Sequence, residues 1–221
     1  MTTGIQVKVW GDYALFSRPE FSTERATYEV MTPSAARGIV EAIHWKPAIR
    51  WVIDRIRVLK PIRFDTIRRN EVAGKASYGN ARQAARGERP PPYLIADEDR
   101  QQRAALVLRD VAYVIEAHFE MTAKAGAGDN PGKHAEMARR RIVNGQCAYQ
   151  PSLGTREFTC YFAPPEAAEL THIDPSLAVR RELGPMLHDI DFEAGMTPRF
   201  FPAVLDHGVL VVPPLPAGRR P

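Results

Sequence analysis

The chain has 221 residues, 44% of them hydrophobic, with a formal net charge of +4 and a pI of about 9.2. This is enough apolar material for a packed core in one domain, or in a domain with an appendage. No run approaches the roughly 20 apolar residues of a membrane helix, and "MTTGIQVKVW" does not begin like a secretory signal, so a cytoplasmic protein without a membrane partner is expected.

Ile5, Val7 and Val9 alternate with Gln6 and Lys8, the period of a half-buried strand ending at Gly11. Thr32-Pro33 is an N-cap followed by a first-turn proline, and Ala36, Ile39, Val40 and Ile43 share one helical face until Pro47 stops the run. The helix finishes on His44-Trp45-Lys46, which presents an imidazole, an indole and an ammonium together. Ile49, Trp51 and Ile53 alternate, and the alternation resumes one residue out of phase at Ile56 and Val58. That slip predicts a bulge at Asp54-Arg55 in one long strand.

From Lys60 to Arg89, eight basic residues stand against Asp65, Glu71 and Glu88, so the basic excess is local. Arg63, Arg68, Arg69, Lys75, Arg82 and Arg86 are interleaved here with Gly74, Gly79, Gly87 and Tyr78, and Tyr93 follows. The segment suits either a polyanion with phosphates and stackable bases or a solvated loop. After "ERPPPY", the residues Val111, Tyr113, Ile115, Ala117, Phe119 and Met121 mark a third strand. Its other face carries Glu116, His118 and Glu120, either metal ligands or simply a polar sheet face.

"AGAGDNPG" is a loop in which Asn130 caps and Pro131 opens a second helix, ended by Asn144-Gly145; "TREFTCYF" reads as a fourth strand. The order strand, helix, strand, strand, helix, strand is an α+β, ferredoxin-like (βαββαβ) unit over residues 1–163, with a basic insertion at about 61–103. Residues 164–221 form a small C-terminal antiparallel β extension with the hairpin-like "AVLDHGVLVV" and a frayed tail, "PPLPAGRRP". Cys147 and Cys160 lack metal spacing and read as reduced core thiols.

In this topology the first two strands run parallel, so helix one returns and ends beneath the start of the second strand. The third strand finishes at the same end, where helix two begins. His44 is therefore expected on one edge with Lys133 and His134. Helix ends bias His44 toward the protonated form and His134 toward the neutral one, and Lys133 at a helix N-terminus suits a phosphate. Two imidazoles biased in opposite directions match general acid and base in attack of a ribose 2′-hydroxyl on its own phosphate, a reaction that needs no metal. Arg139, Arg140 and Arg141 are either the solvated side of helix two or a phosphate track, and His188 and His207 have no partner assignable from sequence. No RNP motif is present, so an ordinary RRM sheet-face binder is not expected.

"GDYALFSRPEF", "TPSAARGIVEAIHWKPAIRWVIDRIRVLKPIRF", "IRRNEV", "EAHFEMT", "LGTREFTCYF" and "LGPMLHDIDF" together resemble the type I-C (Dvulg subtype) CRISPR-associated proteins of the fifth Cas family, in the RAMP superfamily. The resemblance covers nearly the whole chain. It implies a RAMP-type ferredoxin-like domain with a C-terminal β extension, and an endoribonuclease that cuts precursor CRISPR RNA in the repeat, beside the hairpin base, without a cofactor. It further implies that the protein stays with the mature crRNA and other type I-C Cascade subunits, with double-stranded DNA as a further partner. The catalytic set carried over is an aromatic hydroxyl in an "I-Y-W-K-P" block and Lys and His in a "G-K-H" block. Here the second block is Gly132-Lys133-His134, while His44 replaces the usual tyrosine, leaving open which of His44 and His134 is the base. The expected site is thus His44, Lys133 and His134, with Lys46, Arg63, Arg68, Arg69, Lys75, Arg82, Arg139 and Arg140 on the RNA. The alternatives are a Cascade subunit that binds RNA or duplex DNA without cutting, and an acylphosphatase-like enzyme using Arg18.

Overall fold

The alternating residues of β1 (Ile5–Ala14) bury Ile5, Val7, Val9 and Ala14 in the core. The computed structural model describes residues 4–21, 24–74, 77–93, 95–191 and 195–214; Lys75 and the tail from 215 lie outside them. β1 runs past its expected end at Gly11 because its residues up to Ala14 go on pairing with residues 108–111, and glycine is needed at 11 because a Cβ there would stand 2.6 Å from Leu153 Cδ1 and 2.8 Å from the Thr159 carbonyl. After the short β2 (Arg25–Ala26), α1 (Pro33–Ile43) starts where its signals placed it, with Thr32 Oγ1 accepting the Ala35 N–H at 3.3 Å. β3 (Ile49–Val58) contains the expected bulge, between Ile53 and Arg55.

The basic segment is not a plain loop. It forms β4 (Phe64–Val72) and α2 (Tyr78–Ala85) and leads into the first half of β5 (Arg100–Met121), a 22-residue strand of which the sequence pattern revealed only the C-terminal half. β4 pairs antiparallel with β5 from Phe64↔Leu108 to Val72↔Arg100, making a two-stranded arm with a helix at its tip. The arm was illegible because its solvated strands carry no apolar period.

α3 (Pro131–Val143) is capped by Asn130, whose Oδ1 accepts the Lys133 N–H at 2.8 Å. The fourth strand is shorter than expected, β6 (Tyr161–Ala163). Residues 155–157 turn, and the Leu153 N–H bonds the Phe158 carbonyl at 2.8 Å. Gly154, at φ +91°, lies so close to β1 that a Cβ would meet the Leu15 carbonyl oxygen at 1.9 Å. The short α4 (Ala167–Thr171) leads to β7 (Arg181–Asp191), β8 (Thr197–Asp206) and β9 (Val209–Val211), the last two joined at the expected hairpin. β7 was not foreseen as a strand, because Gly184-Pro185 and two register breaks against β8 erase its alternation.

The result is a mixed α/β fold on a sheet of order β6-β1-β5-β3-β9-β8-β7, with β2 and β4 added to β5; every pair except β2–β5 is antiparallel. β9 pairs with β3, so the C-terminal strands continue the same sheet. α1 and α3 cover one face, burying Ile39, Val40 and Ile43 with Ala135, Ala138 and Ile142 over Val7, Val9, Trp51, Ile56 and Ile115. Each large apolar side chain so buried contributes about 1.5–3 kcal/mol.

On the opposite face Glu116 pairs with Arg55 and Arg57, Glu120 with Arg50, and His118 with Asp54. Glu116, His118 and Glu120 thus bond across to β3 rather than converge on one point: they are a polar sheet face. Both cysteines are free thiols. Burial pushes the Cys160 thiol up to about 12, whereas Cys147 is only half-buried, because it follows the end of α3 instead of facing the sheet.

Candidate active site

Two helix ends meet at one edge of the sheet. α1 stops when the chain turns extended at His44 (φ −150°, ψ 115°), whose N–H closes the helix on the Val40 carbonyl at 2.9 Å. α3 starts beside it, in the turn that Asn130 caps. His44 Nε2 lies 3.2 Å from His134 Nδ1, with ring centroids 5.5 Å apart. His134 Nε2 lies 3.1 Å from Asp129 Oδ1. Lys133 Nζ donates to the Gly128 carbonyl at 3.0 Å and stands 3.9 Å from Asp129 Oδ1. The topology therefore brings His44, Lys133 and His134 together as expected.

Groups that sequence reasoning missed lock the pair. Trp51 Nε1 donates to the His44 carbonyl at 2.7 Å, Arg141 donates to the Ile43 carbonyl at 2.6 Å, and the Phe119 ring meets His134 edge-on. Asp129 was also missed. Its only signal was an acidic residue directly before an Asn-Pro helix start, which is commonplace.

The carboxylate dictates the protons. With both rings neutral, Asp129 accepts from His134 Nε2–H, His134 Nδ1 accepts from His44 Nε2–H, and His44 Nδ1 is left buried without a partner. The His44 pKa is lowered to about 4, by burial first, then by the positive charge of Arg141, by His134 and by Lys46. This corrects the expectation of a protonation-prone His44: the C-terminal dipole of α1 is a fraction of a charge, already answered by Arg141. The two rings are 0% and 1% exposed, so the pair is closed to solvent.

A family model for the CRISPR-associated protein (Cas_Cas5) matches residues 4–213. The chain belongs to the Cas5 family. It is 54% identical over 218 residues to the CRISPR pre-crRNA endoribonuclease Cas5d of Mannheimia succiniciproducens, spanning 97% of this chain and 96% of that protein. It is 46% identical over 188 residues to the CRISPR pre-crRNA endoribonuclease Cas5d of Thermus thermophilus, spanning 85% and 73%. Among solved structures a CRISPR-associated protein superposes with a TM-score of 0.72 at 24% identity, over 96% of this chain and 92% of that one. The protein SMU1763c from Streptococcus mutans superposes at 0.67 and 23%, over 96% and 92%, a likeness of fold alone.

The expected RNA-contacting cations of this Cas5 chain are scattered. Lys46 is exposed beside Trp45, itself 50% exposed, one residue beyond His44. Arg63, Arg68 and Arg82 are exposed on or before the arm. Arg69 is not on the same face as Arg68: strand alternation turns it inward, onto Glu157 at 2.6 Å. The arginine run on α3 divides three ways, with Arg139 donating to the Gly4 carbonyl, Arg140 exposed and Arg141 closing α1. Arg18 stacks over Tyr28 with its carbon 4.6 Å from the ring centroid and bonds Glu20, a surface role rather than an acyl-phosphate cradle. His188 bonds the Pro213 carbonyl and His207 bonds Asp206.

Proposed function

We propose that this chain is a metal-independent endoribonuclease that cuts precursor CRISPR RNA within the repeat, near the hairpin base, and then stays on the mature crRNA as a subunit of a type I-C Cascade complex. The observation that carries this is the hydrogen-bonded His44–His134 pair with Lys133 on the same helix turn, in a chain 54% identical to a pre-crRNA endoribonuclease. A 2′-hydroxyl attacks its adjacent phosphate, the new P–O bond forms a 2′,3′-cyclic phosphate, and the bond to the 5′-oxygen breaks. The imidazole pair takes the hydroxyl proton and returns one to the leaving oxygen. Its members share a hydrogen bond and act as one acid–base unit. A neutral His44 holds His134 Nδ1 from inside the core, and the Lys133 ammonium offsets charge on the phosphorane-like transition state.

The fold supports a ferredoxin-like reading of residues 1–163: β1, α1, β3, β5, α3 and β6 follow the βαββαβ order, with both helices on one face. Residues 164–221 are then the C-terminal β extension and the arm is the basic insertion. The cytoplasm is the compartment this substrate implies, and duplex DNA is a further polyanion that the arm could take.

Burial of both rings supports a second reading, a Cascade subunit that binds RNA without cutting. Incubation with the end-labelled cognate repeat in EDTA separates the two. Cleavage to a cyclic phosphate end is expected, while intact RNA bound to the protein would leave only the binding role.

A further inference from the structure

Both ring nitrogens of His134 are already occupied. Nδ1 faces His44 inside the core and Nε2 meets Asp129 Oδ1 at the rim. A catalytic imidazole must offer a nitrogen to its substrate, so one partner has to leave. His44 is fully buried, and its backbone is bonded on both sides by Val40 and Trp51. The Asp129 side chain is 27% exposed, immediately before the helix cap, in a turn that includes Gly126 and Gly128.

The groups around the Asp129 carboxylate are those a phosphate oxygen needs. His134 Nε2 donates to Oδ1, the Gly126 N–H donates to Oδ2 at 3.0 Å, and the Lys133 ammonium stands 3.9 Å away. These donors, the Gly126 N–H first, hold the carboxyl below its usual range. A phosphate arriving at His134 would meet a like charge at contact distance, so the two anions exclude each other.

Resting on the endoribonuclease reading, we infer that the Asp129 carboxylate holds the place of the scissile phosphate in the free protein, and that RNA must displace it to reach His134 Nε2. Asp129 is thus a gate. A tethered carboxylate competes at high effective concentration, so a phosphate enters only when the rest of the RNA is anchored elsewhere. Binding energy from remote contacts is thereby spent on opening the site, which discriminates against short RNAs and free nucleotides.

Asp129→Asn keeps the size of the side chain and removes the charge; Asp129→Ala removes both. For each, affinity is measured for a 2′-O-methyl repeat RNA that cannot be cut, and for inorganic phosphate through the His134 imidazole NMR shifts. Both variants should bind both probes about tenfold more tightly than wild type. Truncated repeats that wild type ignores should be cut by both variants. Unchanged or weaker phosphate affinity, with a slower reaction and a displaced pH profile, would mean that Asp129 orients His134 and would overturn the gate. If wild-type protein never cuts the repeat, the endoribonuclease reading fails, while the phosphate titration still decides the gate.

Discussion

The α1–α3 edge and the basic arm both carry groups suited to RNA, yet they are built in opposite ways. At the edge, two helix ends are pressed against a sheet, and His44 and His134 are held at 3.2 Å by packing, backbone bonds and Trp51. On the arm, two strands stand out from the body, and position follows from alternation alone. Ile67, Arg69 and Glu71 turn toward the body, where Ile67 packs on Leu15, Ala105 and Val107 and Arg69 bonds Glu157. Phe64, Thr66, Arg68, Asn70 and Val72 turn to solvent. A buried site holds its geometry but must open; an exposed ribbon is open but offers only half its charges.

The strongest way to break this comparison is at the edge. Replacing His134 with alanine should slow cleavage by about 10²–10⁴-fold, the range for a positioned proton-transfer group, and replacing Lys133 by about 10²–10³-fold, the range for one transition-state charge stabiliser, while both largely spare RNA affinity, because these groups act mainly in the transition state. Labelled-repeat kinetics beside equilibrium binding checks this. Wild-type rates in both variants would move the chemistry elsewhere on the molecule.

A second experiment tests whether burial governs the pair. His44 has a pKa of about 4 in the folded protein against 6.5 for the model imidazole, so unfolded chains take up a proton that folded ones refuse. The His44 share of stability is complete above pH 6.5 and is lost as pH drops toward 4, by on the order of 3 kcal/mol in all. His44→Tyr, which restores the residue usual in the resembled family, should remove that share of the acid slope in denaturant unfolding at pH 7 to 4. It should also retain cleavage with an altered pH profile. An acid slope equal to wild type would show that His44 titrates normally.

The smallest effect sharpens the arm. Arg68→Ala should flatten the dependence of log affinity on log salt by about 0.7, one released phosphate contact on single-stranded RNA. Arg69→Ala should leave that slope alone and instead cost about 0.2–1 kcal/mol of stability through its half-exposed pair with Glu157. Equal slope changes would mean that the arm twists enough to bring both arginines onto one backbone.

Local chemistry in the sequence determined the capped helices, the bulge at Asp54 and, through strand order, the meeting of His44 with Lys133 and His134. Thr32-Pro33 and Asn130-Pro131 act within one turn, and connection rules then leave few ways to arrange the pieces. Only the tertiary structure decided the rest. β4 carries no apolar period because solvent lies on one side and the inward side joins Ile67 to the ion-paired Arg69 and Glu71, and β7 is interrupted by Gly184-Pro185. The protonation of His44 was misjudged because dipole reasoning sees one helix, whereas desolvation and Arg141 come from segments about a hundred residues away in the chain. Asp129 lies five residues before His134 and bonds its Nε2, while His44, 90 residues distant, faces its Nδ1. Which nitrogen faces which partner depends on how the elements pack against one another.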